Sequence, residues 1–136
     1  MIGGWVELPS GLRVRGRRIA DRPDDPADFL LALADGPTPP WTVRRIDWPD
    51  FRLPRDRADA LAALAEGLRR AREGQLVEVA CLGGRGRTGT ALAAMAVLDG
   101  MNPAAAVPWV RLVYHPKAVE TPGQARWVRT VRTVRR

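Results

Sequence analysis

Cys81 is the only cysteine in a chain of 136 residues, and its neighbours are the kind that could set it to work. A β-branched run, Leu76, Val77 and Val79, leads into it. Leu82, Gly83, Gly84, Arg85 and Gly86 follow, then Arg87, Thr88 and Gly89, and from residue 90 to residue 98 the chain is rich in helix formers. Strand, glycine-rich loop and helix in that order aim backbone N–H groups and the positive end of a helix dipole at one point. A cysteine at the mouth of such a loop has its thiolate form favoured. Glycines at 83, 84 and 86 permit the dihedrals and close approach that an anion cradle spanning residues 82–87 requires. Arg87 adds a planar fork that binds two oxygens at once, which lysine could not reproduce, and the Thr88 hydroxyl is placed to hydrogen-bond the thiolate. A lone cysteine is most often inert, and a lone glycine loop an ordinary turn. Together, at this spacing, they suit a phosphate monoester, which needs donors around its oxygens and a nucleophile in line.

Such chemistry also needs an acid for the leaving oxygen. Asp50 is the candidate, because Trp48, Pro49 and Phe51 give it a partly apolar setting that favours a protonated carboxyl. Asp47 reads instead as an exposed carboxylate at a strand end. His115, the only histidine, lies in a Tyr-His-Pro connection and reads as structural or exposed. Gln124, taken alone, is a polar residue in the first turn of a helix.

These residues need elements to hold them. Residues 5–8 and 12–19 flank Pro9-Ser10-Gly11 as the arms of a hairpin. Residues 20–28 are loop, with one helical turn expected at Asp25-Pro26. Residues 29–34 form a short apolar run, read as a buried strand, and 43–47 make a further strand. Asp56 caps a helix that runs to Glu73 and stops at Gly74, with Leu61, Leu64, Ala65 and Leu68 as its apolar stripe. After the cysteine loop a helix spans 87–99, stopped by Gly100. Asn102-Pro103 starts another to about Tyr114, in which Pro108 predicts a kink or a restart. A final helix is expected over 122–134, with Trp127, Val131 and Val134 on one face and Arg126, Arg129 and Arg132 on another. The alternation predicts a single α/β domain over residues 1–136: a central mixed sheet of about four to five strands, covered on both faces and flanked by helices.

The formal charge is +7, and Lys117 is the only lysine. The arginine excess accompanies abundant Ala, Gly and Pro, as GC-rich codons would produce, yet its field still draws anions. No run approaches the roughly 18 apolar residues of a membrane span, and Met-Ile-Gly-Gly-Trp does not read as a secretory signal. A thiol without a second cysteine fits a reducing cytoplasm. No metal site and no cofactor are expected.

The stretch Cys-Leu-Gly-Gly-Arg-Gly-Arg-Thr-Gly resembles the phosphate-binding signature of the cysteine-dependent protein tyrosine phosphatase superfamily: cysteine, five residues, arginine, then Ser/Thr and Gly. Trp48-Pro49-Asp50 resembles the mobile loop of the tyrosine-specific members and implies Asp50 as general acid. Residues 118–124, Ala-Val-Glu-Thr-Pro-Gly-Gln, resemble the segment whose glutamine orients the hydrolytic water, and imply that role for Gln124. The resemblance covers roughly residues 40 to 130. It implies a protein tyrosine phosphatase-like fold and hydrolysis of phosphate monoesters, protein phosphotyrosine first, through a cysteinyl-phosphate. The implied partner is a phosphorylated protein or another phosphomonoester. A dual-specificity, phosphoinositide or RNA 5′-phosphatase on the same chemistry, or a catalytically weak phosphate-binding relative, stays open. Arg85 stands where some phosphoinositide phosphatases of the superfamily carry a basic residue, and reads equally as solvated. The chain departs from the pattern at Ala80, where the family usually has histidine. Arsenate reduction would require further cysteines. Nucleic-acid binding is disfavoured, since the terminal arginines read as a solvated face and Trp127 belongs to the apolar stripe.

Overall fold

The computed structural model describes residues 3–133. Its elements are β1 (Gly3–Glu7), β2 (Arg13–Arg18), β3 (Phe29–Ala32), β4 (Thr42–Arg45), α1 (Arg57–Arg72), β5 (Val77–Cys81), α2 (Gly86–Leu98), α3 (Pro103–Val113) and α4 (Pro122–Thr130). The sheet order is β1-β2-β5-β3-β4. Only the β1–β2 hairpin is antiparallel; β5 lies between β2 and β3, parallel to both. The strand that ends in Cys81 is therefore central, and its register sets Cys81 beside Arg18.

Alternation along these strands decides what covers each face. Val14, Phe29, Leu31, Val77, Val79 and Cys81 face the helices and join one core with α1, α2, α3 and α4. α2 is buried along its whole length, as befits a helix packed between the sheet and the other three. The opposite face carries no helix among the described residues. A small cluster of Ile19, Leu30, Ala32 and Ala80 lies there, with Trp41 and Val43 packed against it. The two faces are thus covered by different means.

The second face also holds a charge. Glu78 is fully buried. Its Oε1 accepts from Arg15 Nη2 at 2.7 Å and Arg17 Nε at 2.9 Å, and its Oε2 from Arg17 Nη2 at 2.8 Å and Trp41 Nε1 at 2.9 Å. Burial alone would raise the Glu78 carboxyl, but the bonds and charges of Arg17 and Arg15 outweigh it and hold the group below its ordinary range. This cluster ties β2 to β5 and both to residue 41 beside β4.

Several local expectations are refined. The buried side of α1 is Ala60, Ala63, Leu64, Gly67, Leu68 and Ala71, with Leu61 and Ala65 only half-buried. Small residues let the helix approach closely: a Cβ at Gly67 would lie 2.9 Å from the Leu31 side chain. No helical turn forms at Asp25-Pro26; the Asp25 carbonyl accepts from Arg15 Nη1. α3 continues through Pro108 without restarting; Pro108 and Ala104 are both exposed, so water reaches the carbonyl that loses its donor. α4 ends at Thr130, with Val131 extended and buried; Val134 lies outside the described residues. No helix is long and apolar enough to cross a membrane.

Removing one partner from a buried ion cluster leaves the others uncompensated. Glu78→Gln is expected to lower stability by about 3–5 kcal/mol in urea unfolding at neutral pH. Because the folded-state carboxyl is depressed, its contribution is held above the ordinary glutamate value of about 4.3 and lost as pH falls below it. The variant should therefore show a flatter acid limb; an unchanged limb would mean that Glu78 does not govern it.

Candidate active site

Cys81 closes β5, and the chain turns at once. Gly84 has φ +69° and a Cβ there would lie 2.8 Å from the Arg18 backbone nitrogen, so glycine is required on both counts. At Gly86 the neighbour is the Glu120 side chain, whose carboxylate lies against it and would have to swing away from any Cβ. Gly83, grouped with these two from sequence, has open space around it and no left-handed φ. α2 then starts at Gly86 with no side-chain cap, which leaves its first N–H groups for another acceptor.

The sulfur is buried, and two donors reach it: Gly84 N–H at 3.2 Å and the Thr88 hydroxyl at 3.0 Å. Two donors from the loop and the first turn of α2 thus converge on the sulfur. Arg87 is only 4% exposed. Its Nη1 donates to the Leu33 carbonyl at 3.1 Å and the Trp48 carbonyl at 2.8 Å. Its Nε and Nη2 have no hydrogen-bond partner, although Asp50 Oδ1 stands 3.4 Å from Nε. A buried guanidinium with two donors unmade is costly unless an anion completes it.

Asp50 is brought beside this fork, its side chain 47% exposed and its Oδ1 accepting from Phe51 N–H at 3.0 Å. Trp48 does not enclose it, as the sequence reading expected. The indole turns into the core, meets Trp127 edge-on at 5.5 Å, and donates from Nε1 to the Arg52 carbonyl. Trp48 thus anchors the loop, the Arg52 N–H to Pro49 carbonyl bond closes its turn, and Asp50 is left at the surface.

A cavity of about 300 Å³ opens onto Cys81, lined also by Leu82, Gly83, Arg85, Asp50, Phe51, Arg18 and Glu120. A second, beside it, is lined by Trp48, Pro49, Asp50, Leu82 and Arg87. A larger groove of about 720 Å³ runs along α1 and Leu98, but it holds no nucleophile and is remote from Cys81.

Gln124 is placed differently from the other candidates. It is 1% exposed, its Oε1 accepts from Glu120 and Thr121 N–H in a capping box, and its Nε2 donates to the Arg52 carbonyl. Of residues 118–124, Glu120 lines the Cys81 cavity and Gln124 does not. Asp47 pairs with Arg55 in solvent at 3.3 Å, and His115 Nδ1 accepts from Lys117 N–H in a local turn. Three neighbours of the site were missed from sequence: Arg18, Glu120 and Tyr114, whose hydroxyl donates to the Gly84 carbonyl at 2.5 Å. Arg18 could have been found from the β2–β5 pairing. Nothing in residue spacing marks the other two. Among the described residues no cluster of three or more His, Cys, Asp or Glu could hold a metal ion.

No family model and no curated sequence matches the chain. Solved structures do. Tk-PTP in its active form is 28% identical with a TM-score of 0.69, over 77% of this chain and 78% of that one. Kinase associated phosphatase with serine for its catalytic cysteine is 13% identical with a TM-score of 0.74, over 93% and 90%. PTPMT1 in complex with PI(5)P is 16% identical with a TM-score of 0.61, over 85% and 87%. At such identities the last two speak for the fold alone. The Cys81–Arg87 loop, the four-helix, five-stranded architecture and the Tk-PTP match together support the cysteine-dependent protein tyrosine phosphatase superfamily as the group this chain resembles.

Proposed function

We propose that the chain is a phosphatase that hydrolyses phosphate monoesters through a cysteinyl-phosphate, with protein phosphotyrosine as its preferred substrate. The observation that carries the reading is the Arg87 fork, whose Nε and Nη2 make no hydrogen bond, with only the Asp50 carboxylate 3.4 Å from Nε, buried beside a thiol that already receives two hydrogen bonds. Two equatorial oxygens of a phosphate would complete that fork. The Cys81 sulfur attacks phosphorus and the bond to the ester oxygen breaks, while the Asp50 carboxyl gives its proton to that oxygen. Water then attacks the phosphocysteine, Asp50 takes the water's proton, and the S–P bond breaks to return the thiolate to the Thr88 and Gly84 donors. One difficult displacement becomes two easier ones, and fixed donors supply the stabilisation.

An aromatic substrate is supported by Phe51 and Leu82, each 57% exposed and both lining the Cys81 cavity, where a phenyl ring would cover them. A second reading, a substrate bearing a further phosphate such as a phosphoinositide, is favoured by Arg18 and Arg85 on the same cavity. A thiol nucleophile without a second cysteine suits a reducing compartment such as the cytoplasm. Water positioning is not given to Gln124, whose amide is committed to α4 and to Arg52.

Cys81→Ser is expected to abolish turnover of para-nitrophenyl phosphate while leaving inorganic phosphate bound; wild-type turnover in that variant would sink the nucleophile assignment. Asp50→Ala should lose about 10²- to 10⁴-fold in rate on poor leaving groups and progressively less as the leaving-group pKa falls. A uniform loss across a series of aryl and alkyl phosphates would remove Asp50 as the acid. Phosphotyrosyl peptide and phosphoinositide, compared by kcat/KM on the wild type, decide between the two substrate readings. Gln124→Ala should cost about 1–3 kcal/mol in urea unfolding, because a buried amide is removed and two part-buried N–H groups lose their acceptor; an unaltered midpoint with a slowed second step would restore it as a catalytic group.

A further inference from the structure

Ala80, immediately before the nucleophile, has no polar side-chain atom with which to brace the cradle, and it points to the sheet face away from the helices. On the helix side the loop has a different support. Tyr114 caps the C-terminal end of α3. Its hydroxyl donates to the Gly84 carbonyl at 2.5 Å, and its ring fills the space over Gly16 of β2, where a Cβ would lie 2.6 Å from ring and hydroxyl atoms. Burial first, and the nearby Cys81 second, push the phenol above its ordinary range, so it remains a protonated donor.

The geometry of one peptide gives this bond its consequence. The peptide between Gly84 and Arg85 is trans, since the described chain has no cis bond. In a trans peptide the C=O and the following N–H point to opposite sides. Holding the Gly84 carbonyl against Tyr114 therefore turns the Arg85 N–H the other way, to the side where the preceding Gly84 N–H already meets the Cys81 sulfur at 3.2 Å. With Gly84 left-handed at φ +69°, successive N–H groups converge as in an anion nest.

We propose that Tyr114 is a positioning residue of the phosphate cradle, fixing the 84–85 peptide so that its N–H faces the bound phosphoryl group. This deepens the phosphatase reading and rests on it. Tyr114 touches neither phosphorus nor the leaving group; it acts through the backbone of the loop.

The test uses Tyr114→Phe, which keeps the ring over Gly16 and removes only the hydroxyl. Inorganic phosphate affinity is measured by calorimetry, kcat on para-nitrophenyl phosphate per folded molecule, and the thermal midpoint alongside. Phosphate affinity and kcat are each expected to fall by about three- to tenfold, the loss of one orienting hydrogen bond, in protein that remains folded. Wild-type affinity and kcat in the variant would overturn the proposal. So would a lowered thermal midpoint with affinity and kcat per folded molecule unchanged, the signature of a role in packing alone. A wild type that binds no phosphate would leave no cradle to order and would equally refute it. A wild type that binds phosphate but turns nothing over would defeat the phosphatase reading, while the affinity comparison would still judge Tyr114.

Discussion

The structure turns on one buried guanidinium. Arg87 starts in the first turn of α2, yet its Nη1 reaches the carbonyls of Leu33, just past β3, and of Trp48, in the loop that bears Asp50. One planar group thereby sets three separate segments around a common point. It does so while keeping two N–H donors unmade in a buried place. That arrangement is unfavourable in the empty protein, since each buried unpaired donor costs about 1–3 kcal/mol. The surrounding core must hold it, and α2, enclosed on all sides, is the element able to do so. On the proposed reading, a bound anion would relieve a strain that folding has already accepted.

The proposed nucleophile and the proposed acid are held to different degrees. Cys81 ends a central strand, covered on one face by the helices and held on the other by the Glu78 cluster three residues earlier. Asp50 hangs from a turn tied through Trp48, Arg52 and Arg87, with half its side chain in solvent. A fixed sulfur and a tethered carboxylate suit a site in which one group must stay in line with phosphorus while the other gives and takes a proton.

Much of this was readable before any coordinates. The strand, loop and helix around Cys81 are contiguous, so their chemistry is written in local spacing, and the Asp56 cap and Gly74 stop of α1 are local too. What escaped is what the chain brings from afar. The partners of Arg87 lie 39 and 54 residues away, and Tyr114 is 30 residues from the carbonyl it holds. Periodicity marked a leucine stripe on α1, whereas close approach to Leu31 selected the small-residue side. The resemblance implies that Gln124 orients the hydrolytic water, whereas its capping box turns the amide inward. Trp48 was expected beside Asp50, and the pull of the core on a large indole carried it away.

The contact between Gly16 and Tyr114 has a consequence for how this chain can change. Any side chain at position 16 would occupy the volume of the phenol ring, and loss of the ring would open a hole between β2 and the loop. Neither position can drift alone without disturbing the other, although 98 residues separate them. For divergence and for engineering, the two behave as one compound site: a bulkier residue in the strand demands a smaller one at the end of α3, and the loop must then find its brace elsewhere.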